Sequence, residues 1–173
     1  MKTSFKVLTP AYNCKDKIER TMWSVFGQTH TEWEMIIIDD MSTDGTGDYI
    51  KDFAAKHGFD DKITVKKREE KYGETRNTFA ECRLLDGEDV VVRLDAGDYL
   101  TDLGCFEILD KEYTTHNPAV IWTNKRWTLQ PVNFEGKYQP FNLSGPIDIK
   151  TSFYDQPWKT SHLKTFRVRD FKG

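Results

Sequence analysis

Five aspartates in this sequence stand just behind short apolar runs. Asp39, Asp40 and Asp44 follow Met35-Ile36-Ile37-Ile38, and Asp95 and Asp98 follow Val90-Val91-Val92. A third run, Phe5 to Leu8, leads into Thr9-Pro10-Ala11-Tyr12-Asn13. If these runs are parallel strands, the polar residues at their carboxyl ends share one sheet edge, which is where open α/β sheets bind ligands. Carboxylates gathered there repel one another unless a cation joins them. Mg²⁺ and Mn²⁺ prefer such oxygen ligands and commonly bridge to substrate phosphates, so the set points to a metal–diphosphate site. Each aspartate also has a plainer use: Asp44 as a helix cap, Asp39 and Asp40 as turn formers, Asp98 as the start of the next helix. Their placement at successive strand ends favours a shared site.

The elements that must position these residues are legible from periodicity. Ile18, Met22, Val25 and Phe26 recur at three- and four-residue spacing and predict a helix behind the first strand, which should stop at Thr9-Pro10. Glu34 to Asp39 is apolar on both faces, as a central parallel strand should be. Ser42-Thr43-Asp44-Gly45-Thr46 is rich in N-cap residues and predicts a helix over about 45–56. Ile63 to Arg68 alternates like a strand with one wet face, Glu74 to Leu85 reads as helix, and Asp89 to Asp95 as another buried strand. Alternating strands and helices predict an α/β fold with a mostly parallel sheet in a single domain. Beyond Pro118 the sequence predicts strands at 119–123 and 126–129, then a region rich in Pro, Gly and aromatic residues up to Trp158, giving a mixed sheet with long loops.

In five ordered blocks the sequence resembles the nucleotide-sugar-dependent glycosyltransferases of the GT-A fold, in particular the inverting family 2 group. The blocks are Val7 to Asn13, Ser24 to Thr29, Trp33 to Gly45, Gly73 to Asn77, and Arg93 to Asp98. The resemblance implies that Pro10, Tyr12 and Asp40 hold the nucleobase, commonly uracil; an aromatic face can lie against a base and a carboxylate can accept from its imide N–H. Asn13, Asp39, Asp44 and the segment from Gly73 to Asn77 are expected around the same nucleotide. Arg76 is either a charge partner of the carboxylates or a helix-surface residue. The family's metal motif usually reads Asp-x-Asp-Asp, whereas here it is Asp95-Ala96-Gly97-Asp98. One carboxylate is missing; the resemblance implies that the last one, Asp98, touches a Mn²⁺ or Mg²⁺ ion directly, with Asp95 turned to the ribose or to the metal's waters. Gly97 either loosens metal binding or frees backbone N–H groups to approach the diphosphate.

The implied reaction is transfer of a sugar from a nucleoside-diphosphate sugar, a UDP-sugar, to an acceptor hydroxyl with inversion. The alternative is a nucleotide-sugar-binding module without turnover. The family's carboxylate base lies well downstream of the metal motif, past a segment resembling Ser161 to Arg167, and the catalytic residue is left unassigned because neither Asp155 nor Asp170 sits in a matching pattern. The expected division is therefore 1–110 as the nucleotide-sugar-binding half and 111–173 as a shortened acceptor half. His162 is a metal or acceptor contact, or a structural histidine. The tail from Thr151 carries Lys159, Lys164, Arg167, Arg169 and Lys172 against Asp155 and Asp170, which suits an anionic ligand or a solvated helix face. Trp122, Trp127, Phe134, Tyr138, Phe141, Phe153, Tyr154 and Trp158 either wall an acceptor site or fill the core.

Composition narrows the remaining classes. The 173 residues carry 25 Lys+Arg against 28 Asp+Glu, a net charge of −3, which disfavours a protein built to grip nucleic-acid phosphates. No run approaches the roughly 20 apolar residues of a membrane span, and the N-terminus lacks a signal-peptide apolar stretch. Cys14, Cys82 and Cys105 form neither a zinc motif nor a disulfide framework, so a reducing cytoplasm is expected.

Overall fold

The computed structural model describes residues 2–123 and 164–172. The strand expected at 126–129, Asp155, Lys159, His162 and the aromatic residues from Trp127 to Trp158 lie outside the described residues. Six strands and five helices run in the order β1 (Phe5–Ala11), α1 (Ile18–Phe26), β2 (Trp33–Asp39), α2 (Thr46–His57), β3 (Ile63–Lys67), α3 (Glu74–Cys82), β4 (Val90–Arg93), α4 (Cys105–His116), β5 (Val120–Trp122), β6 (Lys164–Arg167) and α5 (Val168–Lys172).

One six-stranded sheet has the order β3-β2-β1-β4-β6-β5. The first four strands are parallel, and β6 returns antiparallel to both β4 and β5. From β1 the chain steps outward through β2 to β3, then crosses back to lay β4 on the other side of β1. That reversal opens a crevice at the carboxyl ends of β1 and β4, the position where such sheets take ligands.

Strand alternation sorts the apolar side chains onto two faces. Phe5, Val7, Trp33, Met35, Ile37, Val90 and Val92 face one side, where Ile18, Met22, Val25 and Phe26 of α1, Ile50 and Phe53 of α2, and Phe106, Leu109 and Tyr113 of α4 cover them. Leu8, Ile36, Ile38 and Val91 face the other, against Cys82 of α3 and Val168 of α5. Each fully buried large side chain contributes about 1.5–3 kcal/mol, so the first face carries most of the hydrophobic stabilisation.

Strand β1 runs past the expected stop at Thr9-Pro10 as far as Ala11. The pairing explains why proline is tolerated. The Phe5 amide donates to Glu32 on the β2 side, so even-numbered residues present their amides towards β4. The ladder with β4 ends at the Leu8–Arg93 pair. Pro10 therefore lacks its N–H where no partner strand remains.

Candidate functional site

The loops behind β1 and β2 are laced together by side chains that accept from backbone amides. The Asn13 amide donates to Ser42 Oγ at 2.9 Å, and the Thr43 amide donates to Asn13 Oδ1 at 2.8 Å. Asp44 Oδ1 accepts from the Thr46 amide and hydroxyl, its Oδ2 accepts from the Lys15 amide, and Thr46 Oγ1 accepts from the Cys14 amide. The Thr46 hydroxyl, followed by the amides of Lys15 and Thr46, holds the Asp44 carboxyl below its ordinary range. Asn13 and Met41 adopt positive φ, as tight turns require. These bonds fix the backbone beside Tyr12, whose ring stays 47% exposed with Lys71 Nζ 3.5 Å from its centroid.

Asp39 and Asp40 end β2 as neighbours with different surroundings. Asp39 is only 4% exposed; its Oδ1 accepts from the Ser42 amide at 2.9 Å, and its Oδ2 lies against Gly47, where an added Cβ would stand 2.5 Å away. Gly47 thus lets the first turn of α2 close onto the carboxylate. Asp40, 5% exposed, accepts from the Tyr72 amide at Oδ1 and the Gly73 amide at Oδ2, both at 2.8 Å. Burial opposes its charge, but the Tyr72 amide, the Asn77 side chain, the Gly73 amide and nearby Lys71 together outweigh it and keep the carboxyl below the usual range.

The loop that Asp40 grips is held by a buried charged cluster. Glu81 of α3 pairs with Lys66, and its Oε1 accepts from Arg68 at 2.8 Å. Arg68 Nε also donates to Asn77 Oδ1 at 2.8 Å. Arg76 stands at the mouth of this loop. Its guanidinium lies 3.7 Å from the Tyr72 ring centroid, and its acidic neighbour is Glu70, so it does not serve as the partner of the strand-end carboxylates.

That place is taken by Arg93, which the sequence reading passed over. Arg93 Nη2 donates to Asp95 Oδ1 at 2.9 Å and also pairs with Glu74 at the start of α3. Its position two residues before Asp95, on a strand otherwise all valine, was the available signal. Beyond it, residues 95–98 form a tight turn. The Asp98 amide donates to the Asp95 carbonyl, the Gly97 amide donates to Thr21 Oγ1, and the Thr21 hydroxyl donates to the Asp98 carbonyl at 2.7 Å. Gly97 has φ +99°, with an imagined Cβ 3.7 Å from Lys17. The turn is thereby clamped to the first turns of α1, beside the loop that carries Tyr12 and Asn13. The Asp98 carboxylate is exposed and has no hydrogen-bond or ion-pair partner among the described residues.

The five aspartates therefore do not gather round a single point. Among the described residues no three of them place ligand atoms close enough to hold one ion. Asp39, Asp40 and Asp44 each accept from backbone amides, and Asp95 lies against Arg93. Of the five, Asp98 is the carboxylate without a partner among the described residues, and its chemistry would suit an ion completed by a ligand's phosphates. At the same sheet end, Lys164 and Trp122 stand paired across β6 and β5, with Lys164 opposite Arg93. The rest of the described basic tail sits at the other end: Arg167 donates to Asn117 and to the Tyr113 and Glu88 carbonyls, Arg169 pairs with Glu88, and Lys172 donates to the Leu85 carbonyl. These residues tie down the end of the chain, and Asp170 lies among them at the edge opposite Asp98.

The family model for glycosyl transferase family 2 matches residues 6–172. The chain belongs to glycosyl transferase family 2. A protein of Bacillus subtilis (strain 168), TuaG, named as a teichuronic acid biosynthesis glycosyltransferase, is 48% identical over 67 residues, which are 39% of this chain and 25% of TuaG. WfaP of Escherichia coli, a UDP-Glc:alpha-D-GlcNAc-diphosphoundecaprenol beta-1,3-glucosyltransferase, is 50% identical over 44 residues, 25% of this chain and 18% of WfaP. The structure of S. aureus TarS 1-349 in complex with UDP-GlcNAc superposes with a TM-score of 0.74 at 19% identity, covering 96% of this chain and 46% of that one. The mannosyltransferase PcManGT of Pyrobaculum calidifontis, in complex with GDP-Man and Mn²⁺, gives 0.63 at 23% identity over 73% of this chain and 36% of that one. These likenesses show the fold, the GT-A arrangement of a mixed, mostly parallel sheet flanked by helices. The family 2 chain described here spans about a quarter or less of these curated relatives and under half of these solved ones.

Proposed function

We propose that this family 2 chain binds a nucleoside-diphosphate sugar, a UDP-sugar, and supports transfer of its sugar to an acceptor hydroxyl with inversion and with a divalent cation. The observation that carries this reading is the Asp95–Asp98 turn: an exposed carboxylate, unpaired among the described residues, held on a glycine turn against α1, at the β1/β4 crevice and at the same end of the sheet as the exposed Tyr12. TarS bound to UDP-GlcNAc and PcManGT bound to GDP-Man and Mn²⁺ support a nucleotide-sugar donor and a metal.

In this reading residues 1–110 bind the donor and 111–173 belong to the acceptor side. Pro10, Tyr12 and Asn13 form the shelf for the base, and Asp40 keeps the Tyr72–Gly73 loop folded over it while retaining lone pairs for the base's imide. Asp39 and Asp44 set the backbone of that shelf, and Arg76 on Tyr72 frames its outer side. Asp98 holds the cation, with Asp95 oriented by Arg93 towards the ribose or the metal's waters. A bound Mn²⁺ or Mg²⁺ supplies charge neutralisation for the departing diphosphate. A carboxylate base from the acceptor side takes the hydroxyl proton; Asp170, at the opposite edge, is excluded from that task.

Calorimetry of UDP with and without Mn²⁺, followed by assay of UDP-sugar hydrolysis, tests this. UDP affinity is expected to rise with Mn²⁺, and Asp98→Ala should bring it back to the metal-free value with the fold intact. Tyr12→Ala should weaken UDP about tenfold or more, the scale of one lost base–aromatic stack. Absence of UDP binding, or preference for another nucleotide, overturns the uracil assignment. Metal-dependent binding with neither hydrolysis nor transfer replaces the enzyme reading by that of a binding module.

A further inference from the structure

A second ligand set lies at the opposite edge of the sheet, where the parallel strands begin. Glu107 and Asp110 stand three residues apart on α4, and so on one helix face. His30 approaches them from the connection between α1 and β2. One ring nitrogen of His30 and one carboxylate oxygen from each acid lie within 4.8 Å of one another.

His30 is fully buried, with its ring edge-on to Phe5 at 5.1 Å between centroids. Its Nε2 lies 2.9 Å from the Thr3 carbonyl oxygen, and a carbonyl only accepts, so Nε2 carries the proton. Nδ1 is then a sealed lone pair, with no hydrogen-bond partner among the described residues. Metal-bound histidines share this arrangement, one nitrogen donating to a backbone carbonyl that fixes the ring and the other left for the ion. Thr3 orients the acid as well, because its amide donates to Asp110 Oδ1 at 2.7 Å. Burial opposes the charge on Asp110, and the bonds from Thr3, with the His30 ring and then Lys2 nearby, outweigh it and keep the carboxyl below its ordinary range. The exposed Lys2 Nζ also reaches Glu107 at 3.9 Å, a flexible monovalent cation where a tighter one can sit.

We propose that His30, Glu107 and Asp110 form a structural site for a first-row divalent ion of the Zn²⁺ class, with water completing its coordination. One imidazole and two carboxylates are a borderline donor set that favours such ions over Ca²⁺ or Mg²⁺. The ion clasps α4 to the start of β1 and to the turn after α1. The site is independent of the donor reading above and lies at the other edge from Asp98.

The test uses the tag-free chain, stripped with chelator and titrated with ZnCl₂ by calorimetry and thermal unfolding, with Co²⁺ absorption reporting the ligands. Asp98→Ala protein should still bind one Zn²⁺, and a hundredfold excess over Kd should raise Tm by about 5 °C or more. Glu107→Gln, which alters an exposed residue and leaves the core untouched, should weaken Zn²⁺ at least tenfold, as should Asp110→Asn. His30→Gln should change the Co²⁺ spectrum. If the Asp98→Ala protein binds no Zn²⁺, or if Glu107→Gln and Asp110→Asn bind it as the parent does, the proposal is overturned.

Discussion

Gly97 occupies the position where the resembled motif usually places a carboxylate, and its backbone gives the reason for the change. At φ +99° any side chain is strained, whereas glycine is not. The missing carboxylate is thus exchanged for a turn that Thr21 clamps from both ends, and Asp98 is presented by that turn. Gly97→Ala should cost about 1–2 kcal/mol in urea unfolding, although space for a Cβ exists. An unchanged unfolding midpoint would contradict this. At this scale the types and places of the acidic residues were legible, because strand ends are local features. What held each acid was not. The amides that satisfy Asp40 come from Tyr72 and Gly73, more than thirty residues away in sequence. The Thr21 clamp joins residues 77 apart. No local pattern signals either pairing.

Helix α3 shows how an element can be anchored with little apolar burial. Its buried positions are Asn77, Glu81 and Cys82, and Glu81 faces Lys66 and Arg68 on β3 and just beyond it. Charge pairing therefore locates α3, and through it the loop that Asp40 grips. Glu81→Gln leaves two cations without their counter-charge, and a cost of about 2–3 kcal/mol in chemical denaturation is expected because both cations retain a path to water. UDP binding should weaken with it if that loop closes the base shelf. The helical span expected at 74–85 ends earlier, at Cys82, and Arg83 and Leu84 continue as a turn. Strand β1 continues through Pro10 to Ala11, although proline is a strand breaker on local grounds. Only the pairing shows that β4 has already ended beside it.

For the molecule as a whole, the pH response follows from where the depressed carboxyls lie. Asp40, Asp44 and Asp110 all sit below their ordinary range, so the native state binds their protons less readily than the unfolded chain does. Their contribution is fully present above about pH 4 and is lost as pH falls through the native values. Urea midpoints should be flat from neutral pH to about 5 and fall steadily below 4, with the Tyr72 and Gly73 amides exchanging faster at the same time. The thiols respond at the other extreme. Burial raises Cys14, Cys82 and Cys105, and Cys82 is pushed up to about 11 by burial and then by Glu81. Iodoacetamide at pH 8 should leave Cys14 and Cys82 intact until the chain unfolds, as mass spectrometry would show. The α/β class, the parallel order of the first strands and the helix faces were legible because two periodicities, near 2 and near 3.6, dictate them. The antiparallel return of β6 was not, since a four-residue strand so far from its partners carries no period of its own.

The pairing of Trp122 with Lys164 sets the two ends of residues 124–163 side by side at the crevice. Strand β5 therefore ends, and β6 begins, at a single point of the sheet. Closing such a segment costs only about 0.6 kcal/mol more for each doubling of its length. The frame thus works as a socket: a segment of different length between those two ends can be closed at little cost while the laced loops behind β1 and β2, on the far side of β4, keep their registration.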